Sequence, residues 1–142
     1  MSHTVSVLVE NRPGALARVS NMFARRGFNI ESLAVGPTER HDVSRIVLTV
    51  DCPAHLLEQI EKQMHKLVNV LRVSTLQPGE SVERELALVR VSADPSSRAE
   101  LIALADVFDA RVADLGPDSM VFEVVGTPEQ LESFEELLRP HG

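Results

Sequence analysis

The sequence predicts an α+β protein of two β-α-β-β-α-β modules, the second lacking its last strand. Three observations carry this reading. Short apolar runs of period two alternate with longer runs of period three to four. The order of these runs begins again after a break at Gln77-Pro78-Gly79-Glu80. Charge also changes there: residues 1–78 hold 9 Lys/Arg against 7 Asp/Glu, a balance of +2, and residues 79–142 hold 5 against 14, a balance of −9. Such a shift fits two modules with different neighbours, and equally two differently solvated surfaces.

Each element of the first module has its own signal. Val5, Val7 and Val9 alternate with Ser6, Leu8 and Glu10 as a strand. Pro13 suits a first helical position, and Ala15, Leu16, Val19, Met22 and Phe23 then share one helical face. Gly27 is a stop signal. Strands follow over 30–35 and 44–51, separated by a turn at Gly36-Pro37. Leu56, Leu57, Ile60, Met64 and Leu67 mark a second helix, with Glu58 and Lys62 placed to pair on its outer side. Residues 70–76 form the last strand. Leu8, Leu33, Val35 and Val47 are expected on the sheet face away from the helices, and apolar residues there predict packing against a second copy.

The second module repeats the order. Residues 85–91 are a strand, and Asp94-Pro95-Ser96-Ser97 is a helix entrance with capping residues. Leu101, Ile102, Ala105 and Phe108 form the apolar stripe. Strands over 111–115 and 120–125 flank Gly116-Pro117-Asp118-Ser119. Thr127 caps a final helix whose inward residues are Leu131, Phe134 and Leu138. The counterpart of residues 70–76 is missing. The domain limits are therefore set at 1–77 and 78–142.

Composition removes several function classes. The hydrophobic fraction is 44% and the charged fraction 25%, as in soluble globular proteins. No apolar run is long enough to span a bilayer, so no membrane partner is expected. The N-terminus lacks signal-peptide features, and the single Cys52 has no internal disulfide partner; a cytoplasmic setting is expected. A formal charge of −7 and the absence of Trp and Tyr argue against nucleic acid, although RNA-binding domains use the same element order. No nucleophile elbow, phosphate loop, dinucleotide glycine pattern or zinc-ligand spacing occurs, so no catalytic or metal site is expected. An acylphosphatase-like hydrolase would place an arginine after strand one, as Arg12 is placed, but its glycine-rich loop has no counterpart.

One loop stands out. A helix start leaves backbone N–H groups free and carries partial positive charge, which suits a carboxylate. With Pro13 first in the helix, the cap falls on Arg12, a poor capping residue. Gly14 permits close approach to the backbone, and Asn11 offers both a carbonyl and an amide to an amino acid. Asn-x-Pro-Gly is also plain turn chemistry, and Asn29 after Gly27 is plain turn chemistry too. The residues alone leave turn and pocket both open.

The segment VLVENRPGALARV resembles an ACT domain, a small-molecule sensing module of ferredoxin-like fold. LVENRPGALARVSNMFARRGFNIESLAVGPTE resembles more narrowly the start of the regulatory small subunits of acetolactate synthase (acetohydroxyacid synthase), and RELALVRV, residues 84–91, resembles their second domain. The resemblance spans essentially the whole chain, and Arg25 to Leu33 is its most specific part. It implies a non-catalytic partner of a large catalytic subunit that carries thiamine diphosphate, FAD and Mg, with no cofactor on this chain. It implies activation of that subunit, and feedback inhibition by a branched-chain amino acid, valine foremost. It implies a homodimer through the ACT domains. The effector site would take Asn11, Pro13, Gly14, Ala15 and Leu16 from one protomer and Asn29 and Ile30 from the other. A stand-alone amino-acid sensor with another partner is the alternative. The resemblance also implies a last strand beyond Pro140-His141-Gly142 that this sequence does not contain.

Overall fold

The computed structural model describes residues 2–142, which fall into two compact units, one ending at Ser81 and one spanning Val82–Gly142. The first unit holds β1 (Ser2–Glu10), α1 (Ala15–Arg26), β2 (Asn29–Pro37), β3 (Val43–Asp51), α2 (Ala54–His65) and β4 (Val70–Leu76). Its sheet is antiparallel in the order β2-β3-β1-β4. The alternating valines of β1 bury Val5, Val7 and Val9, and β3 contributes Ile46, Leu48 and Val50 to the same face. Val19, Met22 and Phe23 of α1 and Leu57, Ile60 and Met64 of α2 close over them. Cys52 lies in this core, and burial pushes its thiol pKa up, which leaves it a packing residue rather than a nucleophile.

The second unit holds β5 (Glu85–Ser92), α3 (Arg98–Val107), β6 (Arg111–Leu115), β7 (Ser119–Gly126), α4 (Pro128–Leu138) and a closing 3-10 turn (Arg139–His141). Its three strands run β5-β7-β6, all antiparallel. Phe134 of α4 stands edge-on to Phe122 of β7, with ring centroids 6.1 Å apart, and Leu101 and Leu138 complete the core. Among the described residues no strand takes the outer edge of β5, the place β4 takes beside β1.

Three sequence expectations change. The first helix begins at Ala15, not Pro13, because Gly14 sits at φ +88°, a left-handed geometry no α-helix contains. Leu16, in its first turn, is not in the core and is 40% exposed. Leu33 and Val35 are not on the face away from the helices. A bulge between Ile30 and Ser32 inserts one residue, so Leu33 pairs with Leu48 and Val35 with Ile46, both core residues. One extra residue flips every later side chain of a strand to the other face. Leu33 and Val35 thus lie on the helix side, yet remain 43% and 49% exposed because β2 is the sheet edge. In α3, Ile102 is 41% exposed, while Leu101 and Ala105 are buried.

Candidate functional site

The loop from Asn11 to Gly14 joins the last residue of β1 to the first turn of α1. It is braced on both sides. Glu10 N–H donates to the Asn69 carbonyl at 2.9 Å, and Asn11 N–H donates to the Asp42 carbonyl at 2.9 Å. The Asn11 side-chain amide donates to the His41 carbonyl at 3.0 Å, which fixes its orientation and leaves Oδ1 as an acceptor. The Thr38–Asp42 turn between β2 and β3 is therefore part of this site, and sequence reading missed it. Its only signal was the adjacent Gly36-Pro37 pair. Arg40 grips Asp42 through Nε and Nη2 at 3.3 and 3.0 Å, and this hydrogen bonding holds the Asp42 carboxyl below its usual pKa.

The helix entrance itself is open. Gly14 is the cap, no side chain caps α1, and its first turn holds no acidic residue. Ala15 N–H reaches the Arg12 carbonyl at 3.3 Å, and Arg18 N–H the Gly14 carbonyl at 3.0 Å. Leu16 and Ala17 lie in the first turn, where a helix offers no acceptor of its own. A Cβ built on Gly14 would meet nothing within 4 Å, so the space above the loop is clear. Polarised N–H groups, an unfilled approach and an exposed Leu16 beside them suit a ligand with a carboxylate and an apolar side chain. Arg12, the residue a hydrolase reading needs, is ion-paired through Nε to Glu10 at 3.0 Å.

Asn11, Pro13, Gly14, Ala15 and Leu16 are brought together; Asn29 and Ile30 are not among them. Asn29 opens β2 opposite Asp51, which pairs with Ser2, whereas Pro37 at the far end pairs with Ser44, which pairs with Val9. Asn29 therefore lies at the other end of the sheet, about 25 Å from the loop at ~3.3 Å per strand residue. Ile30 packs against the core of its own unit. Clefts of about 570, 590 and 360 Å³ lie elsewhere, on the outer side of α1 and α2, and their linings include none of Asn11 to Leu16. No group of three or more His, Cys, Asp or Glu placed to hold a metal occurs among the described residues. Among the described residues no helix is long and apolar enough to cross a membrane.

Comparison with known proteins fits this division of the chain. Residues 5–72 match the family model described as AHAS small subunit-like ACT domain, and residues 84–142 match that of the small subunit of acetolactate synthase. The chain is 49% identical over 141 residues to the acetolactate synthase small subunit of Mycolicibacterium smegmatis, covering 99% of this chain and 83% of that protein. It is 48% identical over 142 residues to the probable acetolactate synthase small subunit of Archaeoglobus fulgidus, covering 100% and 89%. The crystal structure of the small subunit from Thermotoga maritima superposes with a TM-score of 0.91 at 40% identity, over 99% of this chain and 88% of that one. With a β-α-β-β-α-β unit followed by a β-α-β-β-α unit and relatives near half identity along its full length, the chain belongs to the family of acetolactate synthase regulatory small subunits.

Proposed function

We propose that this chain activates a thiamine-diphosphate catalytic subunit of acetolactate synthase and imposes feedback inhibition on it by a branched-chain amino acid, valine foremost. The carrying observation is the uncapped entrance of α1, with Gly14 in left-handed geometry and open space above it. The effector carboxylate would accept from the first-turn N–H groups, its ammonium would donate to Asn11 Oδ1, and Leu16 would meet its side chain. Selectivity among valine, leucine and isoleucine then rests on methyl contacts worth ~1–3 kcal/mol.

The second half of the site comes from a second copy. β2 is an edge strand of nine residues, exposed along most of its length, with Leu33 and Val35 apolar and accessible. Antiparallel pairing of two β2 strands about Leu33 sets Asn29 of one copy against Pro37 of the other. Pro37 is level with Val9, just before the Asn11 loop. The pairing thus supports a homodimer with two sites, each made of Asn11, Pro13, Gly14, Ala15 and Leu16 plus Asn29 and Ile30 of the second copy. On this reading the first unit is the effector domain and the second a regulatory domain. Inhibition follows if the effector binds two arrangements of the dimer unequally and the catalytic subunit distinguishes them.

The test is reconstitution with a thiamine-diphosphate large subunit, with acetolactate formation measured with and without valine. Activity should rise on adding the chain and fall again with valine. Binding of valine without association or activation would instead identify a stand-alone sensor.

A further inference from the structure

The outer surface of α1 and α2 is charged in a way the effector site does not use. Arg18, Arg25 and Arg26 of α1, with Lys62, His65 and Lys66 at the end of α2, are all exposed. They line the three adjoining clefts, and no carboxylate lines any of them. Among the described residues Lys62 pairs with Glu58 at 3.3 Å, while none of the ion pairs engages Arg18, Arg25, Arg26 or Lys66. Basic residues in the last turn complement a helix dipole, which accounts for Arg25, Arg26, Lys62 and His65. It does not account for Arg18, four residues after the cap at the positive end of α1.

We propose that this basic face of the first unit is where the catalytic subunit docks, through an acidic surface of its own. The proposal rests on the reading above that such a subunit is the partner. Two features favour an acidic protein surface over a compact phosphate ligand. A phosphate is best held at helix N-termini, whereas every basic residue of this face except Arg18 lies in the last turn of its helix or at its C-cap. Val68, 77% exposed, and Leu67 sit among the cations and offer apolar contact that a phosphate does not use. Arginines around a small apolar centre are typical of protein interfaces. The placement also links docking to sensing. α1 carries Gly14 to Leu16 at its start and Arg25-Arg26 at its end, and its 12 residues span ~18 Å as one rigid rod. A tilt of α1 on effector binding moves the docking face directly.

The experiment uses the full chain with the catalytic subunit. Association is measured by titration at two ionic strengths for the natural sequence, for Arg25→Glu/Arg26→Glu/Lys66→Glu, and for Arg25→Gln/Arg26→Gln/Lys66→Gln. Valine binding to the chain alone is measured in parallel as the check on folding. Charge reversal should weaken association by at least about tenfold and neutralisation by less, the natural chain should lose affinity with salt, and valine binding should be unchanged. Association that neither set of substitutions nor salt alters, with valine binding intact, overturns the docking face and leaves the proposed function standing. Failure of the natural chain to associate at all removes the proposed function and this inference with it.

Discussion

The two units follow one element order as far as their second helix but differ at their helix entrances and at the matching edge strands β2 and β6. In the second unit a side chain caps α4, and α3, which has no side-chain cap of its own, follows a hydrogen-bonded turn. Asp94 Oδ1 accepts from the N–H groups of Ser96 and Ser97, both at 3.0 Å, just before α3. Thr127 and Gln130 cap α4 reciprocally in a capping box. In the first unit α1 opens on Gly14 with no capping side chain. The edge strands differ likewise. Both β2 and β6 carry a bulge near the same point, between Ile30 and Ser32 and between Val112 and Asp114. β6 is five residues long and holds Arg111 and Asp114, charges that discourage pairing, whereas β2 is nine residues long and presents Leu33, Ala34 and Val35. The first unit thus combines a glycine entrance without a cap and a long apolar edge at β2, whereas the second combines a capped α4, a short charged edge at β6 and an open edge at β5.

The strongest way to break this comparison is at the edge strands. Leu33→Asp would set two carboxylates opposite each other at the centre of a β2–β2 pairing, where like charges cost several kcal/mol. Sedimentation should show dimer giving way to monomer, with valine binding lost because neither copy receives the other's Asn29. Val112→Asp is the matched change on β6, at nearly the same exposure, 44% against 43%. It should leave the dimer intact. Equal effects of the two substitutions would end the assignment of the interface to β2.

Next in size is the loop. Gly14→Asp places a carboxylate where the effector's own should lie, and valine affinity measured by calorimetry should fall by about tenfold or more, ~1.4 kcal/mol. Any side chain there also meets the left-handed backbone, at a cost of ~1–2 kcal/mol. Gly14→Asn separates the two effects, since Asn tolerates that geometry and carries no charge. Asn should retain more affinity than Asp; identical losses would mean that backbone strain, not charge, explains the result. Thr127→Ala then probes the closed entrance of α4. It should destabilise the protein by ~1 kcal/mol in urea unfolding and leave valine affinity untouched.

How much of this was legible in the sequence follows from what each feature depends on. The strands and helices were readable because β1 alternates Val5, Val7 and Val9 and α1 repeats Val19, Met22 and Phe23, and both patterns report burial directly. The start of α1 was misread by two residues because Pro13 is a good opening signal while the backbone angle of Gly14 is not written in its identity. The bulge at Glu31 was invisible for the same reason: nothing in Ile30-Glu31-Ser32 marks which residue the ladder skips, yet it decides where Leu33 and Val35 point. The clamp of His41 and Asp42 on Asn11 joins residues thirty positions apart, and only the folded hairpin brings them together.

The smallest predicted effect concerns pH. Hydrogen bonds from Ser96 and Ser97 hold the Asp94 carboxyl below its ordinary value of 3.8. A carboxylate whose pKa is depressed in the folded state adds stability that is complete above the unfolded value and lost as pH falls through the folded one. The entrance to α3 should therefore keep its protection at neutral pH and lose it only below 3.8, once Asp94 takes a proton. Because Asp94 is fully exposed to solvent, the readout should be local: amide exchange at Ser96 and Ser97, followed by NMR, rather than global unfolding. Asp94→Asn keeps an acceptor but cannot titrate, so its exchange should lack the acid-dependent step. The same step in Asp94→Asn would assign it to other groups. A matching step at Leu16 and Ala17 would overturn the contrast with α1, whose entrance has no carboxylate to protonate.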